Sequence, residues 1–226
     1  MRRVRKHLAA WGMFLALSGF AWPGEIVDRV IANVNGHILL QSDWEEELAL
    51  EALFNGRSVD TFTATERKAA LDRLIDQELL REQVRPSGAV PADQAATRLA
   101  EVRKLYPEAT TEQGWRTTLQ RFGLSQAVVE RRVEENLQLM RLIEARLRPS
   151  IQIDQKAVES YYREQLLPEL KKAGGKEVAL ADVVGHIRDL LAEQKLNQLL
   201  SNWLSNLRSE GHVETHDSES GDQSVE

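Results

Sequence analysis

The chain of 226 residues contains no cysteine. Disulfides are therefore excluded, as is a lipid-modified cysteine anchor, and the fold must stand on its apolar core alone. Positive charge is in deficit: 29 Lys and Arg face 35 Asp and Glu, a formal charge of −6. That balance repels phosphate backbones and argues against nucleic acid as a partner. After the first two dozen residues no stretch is apolar enough to enter a membrane. A glycine-rich phosphate loop is missing too, because Gly174-Gly175-Lys176 lacks the spacing of one and reads as a flexible link.

What is present begins with an export pattern. Arg2, Arg3, Arg5 and Lys6 form a basic start, residues 8–21 an apolar run, and Ser18, Gly19 and Ala21 supply small residues for cleavage. Residues 1–24 thus read as a secretory signal, whose apolar run at 8–21 is shorter than the roughly 20 apolar residues a bilayer span needs. Cleavage near Ala21 or Gly24 would remove the basic start and leave a more acidic chain. The remainder, about 200 residues, is enough for one or two small domains.

Residues 26–40 read as a β-hairpin, with Asn35-Gly36 at a turn whose two central residues need positive φ. Ser42 and Glu45 form a capping box opening a helix over 43–54, and Thr63 with Glu66 opens another that runs to Val84. Its apolar face is Leu71, Leu74, Ile75 and Leu79, and 85–88 (Arg-Pro-Ser-Gly) stops it. Further helices are expected over 92–105, over 112–122 with Gly123 as the stop, and from the Ser125 cap to Leu147. The stripe of that long helix is Val129, Val133, Leu137, Met140 and Ile143 or Leu147. Asp154 caps a sixth helix carrying Tyr161 and Tyr162. The last, over 181–208, buries Val183, Ile187, Leu190, Leu191, Leu196, Leu199, Leu200, Trp203 and Leu207, followed by a short strand at 212–214. Each fully buried side chain of that kind is worth roughly 1.5–3 kcal/mol, so this helix must dock on the rest. Residues 215–226 are polar and acidic and are expected to be disordered.

Catalytic constellations are poor. The sequence His212-Val-Glu-Thr-His216 misplaces the glutamate of a zinc-peptidase helix, and an accidental pair of histidines is the better reading. His186 reads as a helix-edge residue and His37 as a turn residue. The acidic runs at Glu45-Glu46-Glu47 and Glu134-Glu135 read as solvated helix faces, with Glu144 paired to Arg148 one turn on. No catalytic residue, metal or cofactor is assigned. A surface that binds polypeptide needs apolar side chains in a polar-rimmed groove. Trp115, Leu119 and Phe122 share one helix face, Tyr106 is near in sequence, and Trp44 lies on the first helix. Tyr161 and Tyr162 point apart, leaving Tyr162 as a contact candidate. For all six candidates, core packing is the competing role.

The stretch VDRVIANVNGHILLQSDWEEEL, from residue 27 to 48, resembles the N-terminal signature of SurA-like periplasmic chaperones. Val30, Ala32, Val34, Asn35, Ile38, Ser42 and Asp43 stand where that pattern expects them. Residues 70–84, 110–125 and 181–214 are similar to the family's later helices and closing strand. The resemblance implies a mostly α fold, in which an N-terminal β-hairpin is followed by a helical chaperone module and a long C-terminal helix folds back onto it. It also implies a module, 25–214, that binds unfolded polypeptide in an apolar crevice without ATP. Relatives insert a prolyl-isomerase domain between the two parts, 25–167 and 181–214. Here residues 168–180 leave room only for a short linker. The expected function is therefore a periplasmic holding chaperone for unfolded exported or outer-membrane proteins, with no membrane insertion after signal cleavage. The alternatives are a dedicated assembly partner and, last, a peptidyl-prolyl isomerase.

Overall fold

Asn35 and Gly36 carry φ values of 52° and 90°, the left-handed pair that the tight turn requires. They join β1 (Val30–Val34) to β2 (His37–Leu40). In the computed structural model, which describes residues 28–83 and 90–216, β1 is the middle of an antiparallel sheet ordered β2-β1-β3. The third strand, β3 (Val213–Thr215), comes from the far end of the chain. It sits one residue later than the sequence suggests, and the His216 amide donates to the Ile31 carbonyl at 2.8 Å. The ladder therefore enters the segment expected to be a disordered tail. The segment expected to be a signal (1–24), the expected 84–88 helix end and residues 217–226 lie outside the described residues.

The remainder is helical: α1 (Gln41–Phe54), α2 (Ala64–Arg81), α3 (Ala92–Arg103), α4 (Glu112–Arg121), α5 (Gln126–Leu147), α6 (Gln155–Tyr161), α7 (Leu167–Lys172) and α8 (Leu180–Glu210). Most caps follow the sequence. Thr63 and Glu66 close a capping box, and Ser125 and Asp154 accept from the third residue of α5 and α6. The start of α1 differs. Its N-cap is Leu40, whose amide donates to Asp43 Oδ2 at 2.8 Å, and Ser42 lies inside the helix. The Ser42 hydroxyl donates instead to Asp28, which it holds below the usual carboxylate range. Strand β2 runs straight into α1, so no residue between them is free to cap in the ordinary way.

Apolar clusters fix the N-terminal part, two of them central to the cleft and the sheet. Ile31, Ala32, Val34 and Leu39 of the sheet pack on Leu74, Ile75 and Leu79 of α2. Leu50 and Leu53 of α1 pack with Val102, Trp115, Leu119 and Val129 of α3, α4 and α5 and with Tyr106 of the α3–α4 connection. Gly114 permits this second cluster: a Cβ there would stand 1.8 Å from the Glu108 carbonyl oxygen, inside any possible contact.

The last helix returns. Leu196 and Trp203 of α8 pack with Leu80 and Leu147, and Leu207 reaches the sheet cluster. Arg208 Nε donates to Asp76 Oδ1 at 2.6 Å, which raises the guanidinium's affinity for its proton. Asn35 binds the entry to β3 twice: its amide donates to the His212 carbonyl at 2.8 Å, and its Oδ1 accepts from the His212 amide at 2.7 Å. Two stripe residues are corrected. Met140 and Leu190 are 60% and 41% exposed. Helix α5 is about 33 Å long and serves different partners at its two ends. Its buried face turns from Val129 and Val133 to Leu139, Leu142 and Ile143, leaving Met140 outside.

Between α6 and α8 the expected flexible link is partly helix. Residues Tyr162–Leu166 form one π turn, and α7 follows with Pro168 near its start. Proline cannot donate to the carbonyl four residues back and collides with it, and the widened turn relieves both problems. Gly174, at φ 68°, ends α7, and its amide and that of Gly175 bond to the Lys171 and Leu170 carbonyls. Only then does extended chain lead into α8. No helix among the described residues is long and apolar enough to cross a membrane.

Candidate functional site

The chain leaving α1 turns at Gly56 (φ 64°) and makes a single 3-10 turn, Val59–Thr61, before α2 begins. Arg57 braces that loop. Its Nη1 donates to Glu66 Oε1 at 2.9 Å, its Nε to Thr61 Oγ1 at 3.1 Å and its Nη2 to the Thr61 carbonyl at 3.3 Å. The Arg57 guanidinium also lies 4.0 Å from the Phe62 ring centre. The hydrogen bond from Arg57, with those from Thr63, holds the Glu66 carboxyl down at about 2.

Opposite the loop stand Tyr106, at the end of the α3 connection, and Phe122, at the end of α4. Their rings meet edge to face, with centres 5.8 Å apart and planes at 75°. The loop and this pair enclose an open cleft of about 450 Å³, lined by Gly56, Arg57, Val59, Tyr106, Arg121 and Phe122, with Ser58 and Asp60 on the loop. The Tyr106 hydroxyl donates to the Leu53 carbonyl at 2.8 Å, which anchors the floor to α1. Burial pushes the phenol's pKa up, and the nearby Arg121 opposes that shift. Arg121 lies 5.7 Å from the Tyr106 ring centre and 5.6 Å from that of Phe122, and its Nη2 donates to Glu108 at 2.9 Å. Glu108 is held below the usual carboxylate range, first by its own backbone N–H and then by Arg121, against the effect of burial.

Of the six residues the sequence nominates, the structure brings four together in one cluster. Tyr106 and Phe122 reach the cleft, whereas Trp115 and Leu119 lie beneath it, 0% and 2% exposed. Trp115 is sealed: among the described residues its Nε1 has no hydrogen-bond partner, and Arg103 stands 5.5 Å from its ring centre. In this conformation those two side chains form the support of the floor rather than its surface. Trp44 packs between the sheet and α1–α2, with its Nε1 donating to the Arg67 carbonyl at 3.0 Å. Tyr162 is remote from the cleft in sequence and contact, its hydroxyl donating to the Val178 carbonyl at 2.6 Å to tie α8's approach to the π turn.

Arg57 and Arg121 were not legible as site residues, because a lone arginine in a loop or at a helix end carries no pattern. The acidic run in α1 is corrected as well. Glu47 is buried, and Arg132 Nη1 lies 2.6 Å from its Oε2, close but poorly aligned for a hydrogen bond. Gln77 links the same pair, accepting from Arg132 at 2.5 Å and donating to Glu47 at 3.1 Å. A signal existed: Glu47 falls one turn after Trp44, on the helix's inner side. The residues of the His-Val-Glu-Thr-His sequence lie along β3 and its ends, with His212 Nε2 3.1 Å from Glu214 Oε1. Among the described residues no three His, Asp or Glu groups stand close enough to share a metal ion. Compared with known proteins, the chain matches no family model and no curated sequence.

Proposed function

We propose that this protein is an ATP-independent holding chaperone of the periplasm, binding unfolded exported or outer-membrane polypeptides. Residues 1–24 act as its export signal, residues 25–214 form the binding module, which β3 closes as far as Thr215, and an acidic tail follows. The observation that carries this reading is the open aromatic-floored cleft between loop 56–60 and the Tyr106–Phe122 pair. Its volume admits one or two client side chains, and its rim is polar. Rings held by Leu53, Trp115 and Leu119 present a fixed apolar surface that loses little entropy when a client binds. The client, by contrast, gives up conformational freedom, so affinity is modest and release needs no nucleotide.

Support for a module closed end on end comes from β3 and α8, which tie the last residues to the hairpin and fit the resemblance to SurA-like chaperones. The direct test uses the signal-free chain with an aggregating unfolded client. Suppression of light scattering without nucleotide, weakened by Phe122→Ser, is expected. No suppression at any molar ratio refutes the chaperone role. Turnover of a prolyl peptide by the same preparation would make the protein an isomerase, and a single stoichiometric partner in a pull-down would make it a dedicated assembly factor.

A further inference from the structure

We infer that the cleft prefers client segments in which an acidic side chain adjoins an aromatic or branched apolar one, with Arg121 taking the carboxylate. This rests on the cleft being the client site. The two cleft arginines differ in how far their donors are committed. Arg57 uses Nε, Nη1 and Nη2 on Thr61 and Glu66 and serves as a strut. Among the described residues Arg121 makes one hydrogen bond, Nη2 to Glu108, and its side chain is 58% exposed. A guanidinium carries five N–H donors in a flat fork, so most of Arg121's capacity is open.

The same molecule shows what an arginine does with that capacity. Arg148 Nη2 contacts Glu144 at 2.7 Å and Glu193 at 2.8 Å, and Arg81 contacts Glu78 at 2.5 Å and Glu135 at 3.4 Å. One guanidinium bridging two carboxylates is thus a recurring arrangement in this fold. Arg121 has its first carboxylate, Glu108, and among the described residues no second one. Its position over both floor rings, 5.7 and 5.6 Å from their centres, puts the vacant donors beside the apolar surface. A ligand that fills the floor with an aromatic or branched side chain brings its neighbouring residue to the guanidinium. A carboxylate there gains a charge-assisted hydrogen bond, whereas a lysine meets like charge. Asp60 also lines the cleft and works against an anionic ligand, and Arg57, already paired with Glu66, does not offset it. Removing Asp60's charge should therefore sharpen the preference.

The experiment is fluorescence anisotropy on the signal-free chain with labelled Gly-Ser peptides that differ at one pair: Phe-Glu, Phe-Gln, Phe-Lys and Ser-Glu. Phe-Glu is expected to bind about tenfold tighter than Phe-Lys, with Phe-Gln between them and Ser-Glu weakest. Arg121→Gln should bring the Phe-Glu to Phe-Lys ratio to about one, and Asp60→Asn should raise it about threefold. Equal binding of Phe-Glu, Phe-Gln and Phe-Lys, all weakened by Phe122→Leu, overturns the acidic preference while keeping the cleft as client site. Binding that neither Phe122→Leu nor Phe122→Ser alters overturns the cleft itself. Far-UV circular dichroism on each variant ensures that a lost ratio is not lost folding.

Discussion

The cluster around Trp115 and the contact that seats the last helix use similar side chains but close very different lengths of chain. The first draws on residues from Ala49 to Val129 and leaves Trp115, Leu53 and Val129 completely buried. The second joins Leu80 to Leu147, Leu196 and Trp203 and is reinforced by Arg208, which reaches Asp76 across 132 residues. Its apolar members are 6–9% exposed. Closing a longer loop costs only slightly more entropy for each doubling of length, so the distant contact is feasible with few groups. The difference assigns them separate work. The sealed cluster holds the floor of the cleft rigid, and the seat keeps α8 and β3 on the sheet.

The hardest break is at Gly114. Alanine there puts a methyl carbon where the Glu108 carbonyl now stands, and backbone cannot step aside as a side-chain tip can. Gly114→Ala is expected to cost more than about 4 kcal/mol in urea unfolding, or to abolish folding. A loss below about 1 kcal/mol would show that α4 can shift away from the Pro107–Thr110 turn. Trp203→Ala attacks the other region and is expected to cost about 3–4 kcal/mol. Its signature is local: amide exchange should accelerate in α8 and β3 while the amides around Trp115 stay protected, and uniform acceleration would mean that the two regions unfold as one. Arg208→Ala removes the ion pairs to Asp72 and Asp76 on a partly exposed edge and should cost about 1–2 kcal/mol, again confined to α8 and β3.

Much of this comparison could be foreseen from local chemistry. The Asn35-Gly36 turn, the Thr63, Ser125 and Asp154 caps and the Leu74–Ile75–Leu79 face each depend on neighbours in sequence, and each formed as expected. So did the return of α8, because Leu196, Trp203 and Leu207 had no local partner for their stripe. What failed depended on tertiary partners. Ser42 lost its cap because β2 leads directly into α1, and Met140 was exposed because α5 changes partners midway. Glu47 was buried because Arg132 and Gln77, on α5 and α2, meet it there. The cleft was half visible. Its aromatic floor lay on an apolar stripe, but Trp115 and Leu119 on that stripe went inside, and the arginine rim came from isolated residues.

The smallest expected effect concerns the strut of the cleft. Glu66 is drawn down from its ordinary 4.5 to about 2 by hydrogen bonds from Arg57 and Thr63. A carboxyl whose pKa is lowered by folding stabilises the folded state fully above 4.5, and that contribution fades as pH falls toward 2. Because the pair is exposed, the contribution is modest. Glu66→Gln should therefore be slightly less stable at pH 7, and its stability should vary less between pH 4.5 and 2 than that of the unaltered chain. Parallel curves for the two proteins across that window would mean that Arg57 is not held by this carboxylate in solution. The same substitution releases Arg57 from its main anchor and loosens loop 56–60, so peptide binding in the cleft should weaken by about two- to threefold. Unfolding in the core around Trp115 should be unchanged apart from that shift. A cleft that loses affinity while its floor stays intact would separate the rim from the floor in energy, as the geometry separates them in space.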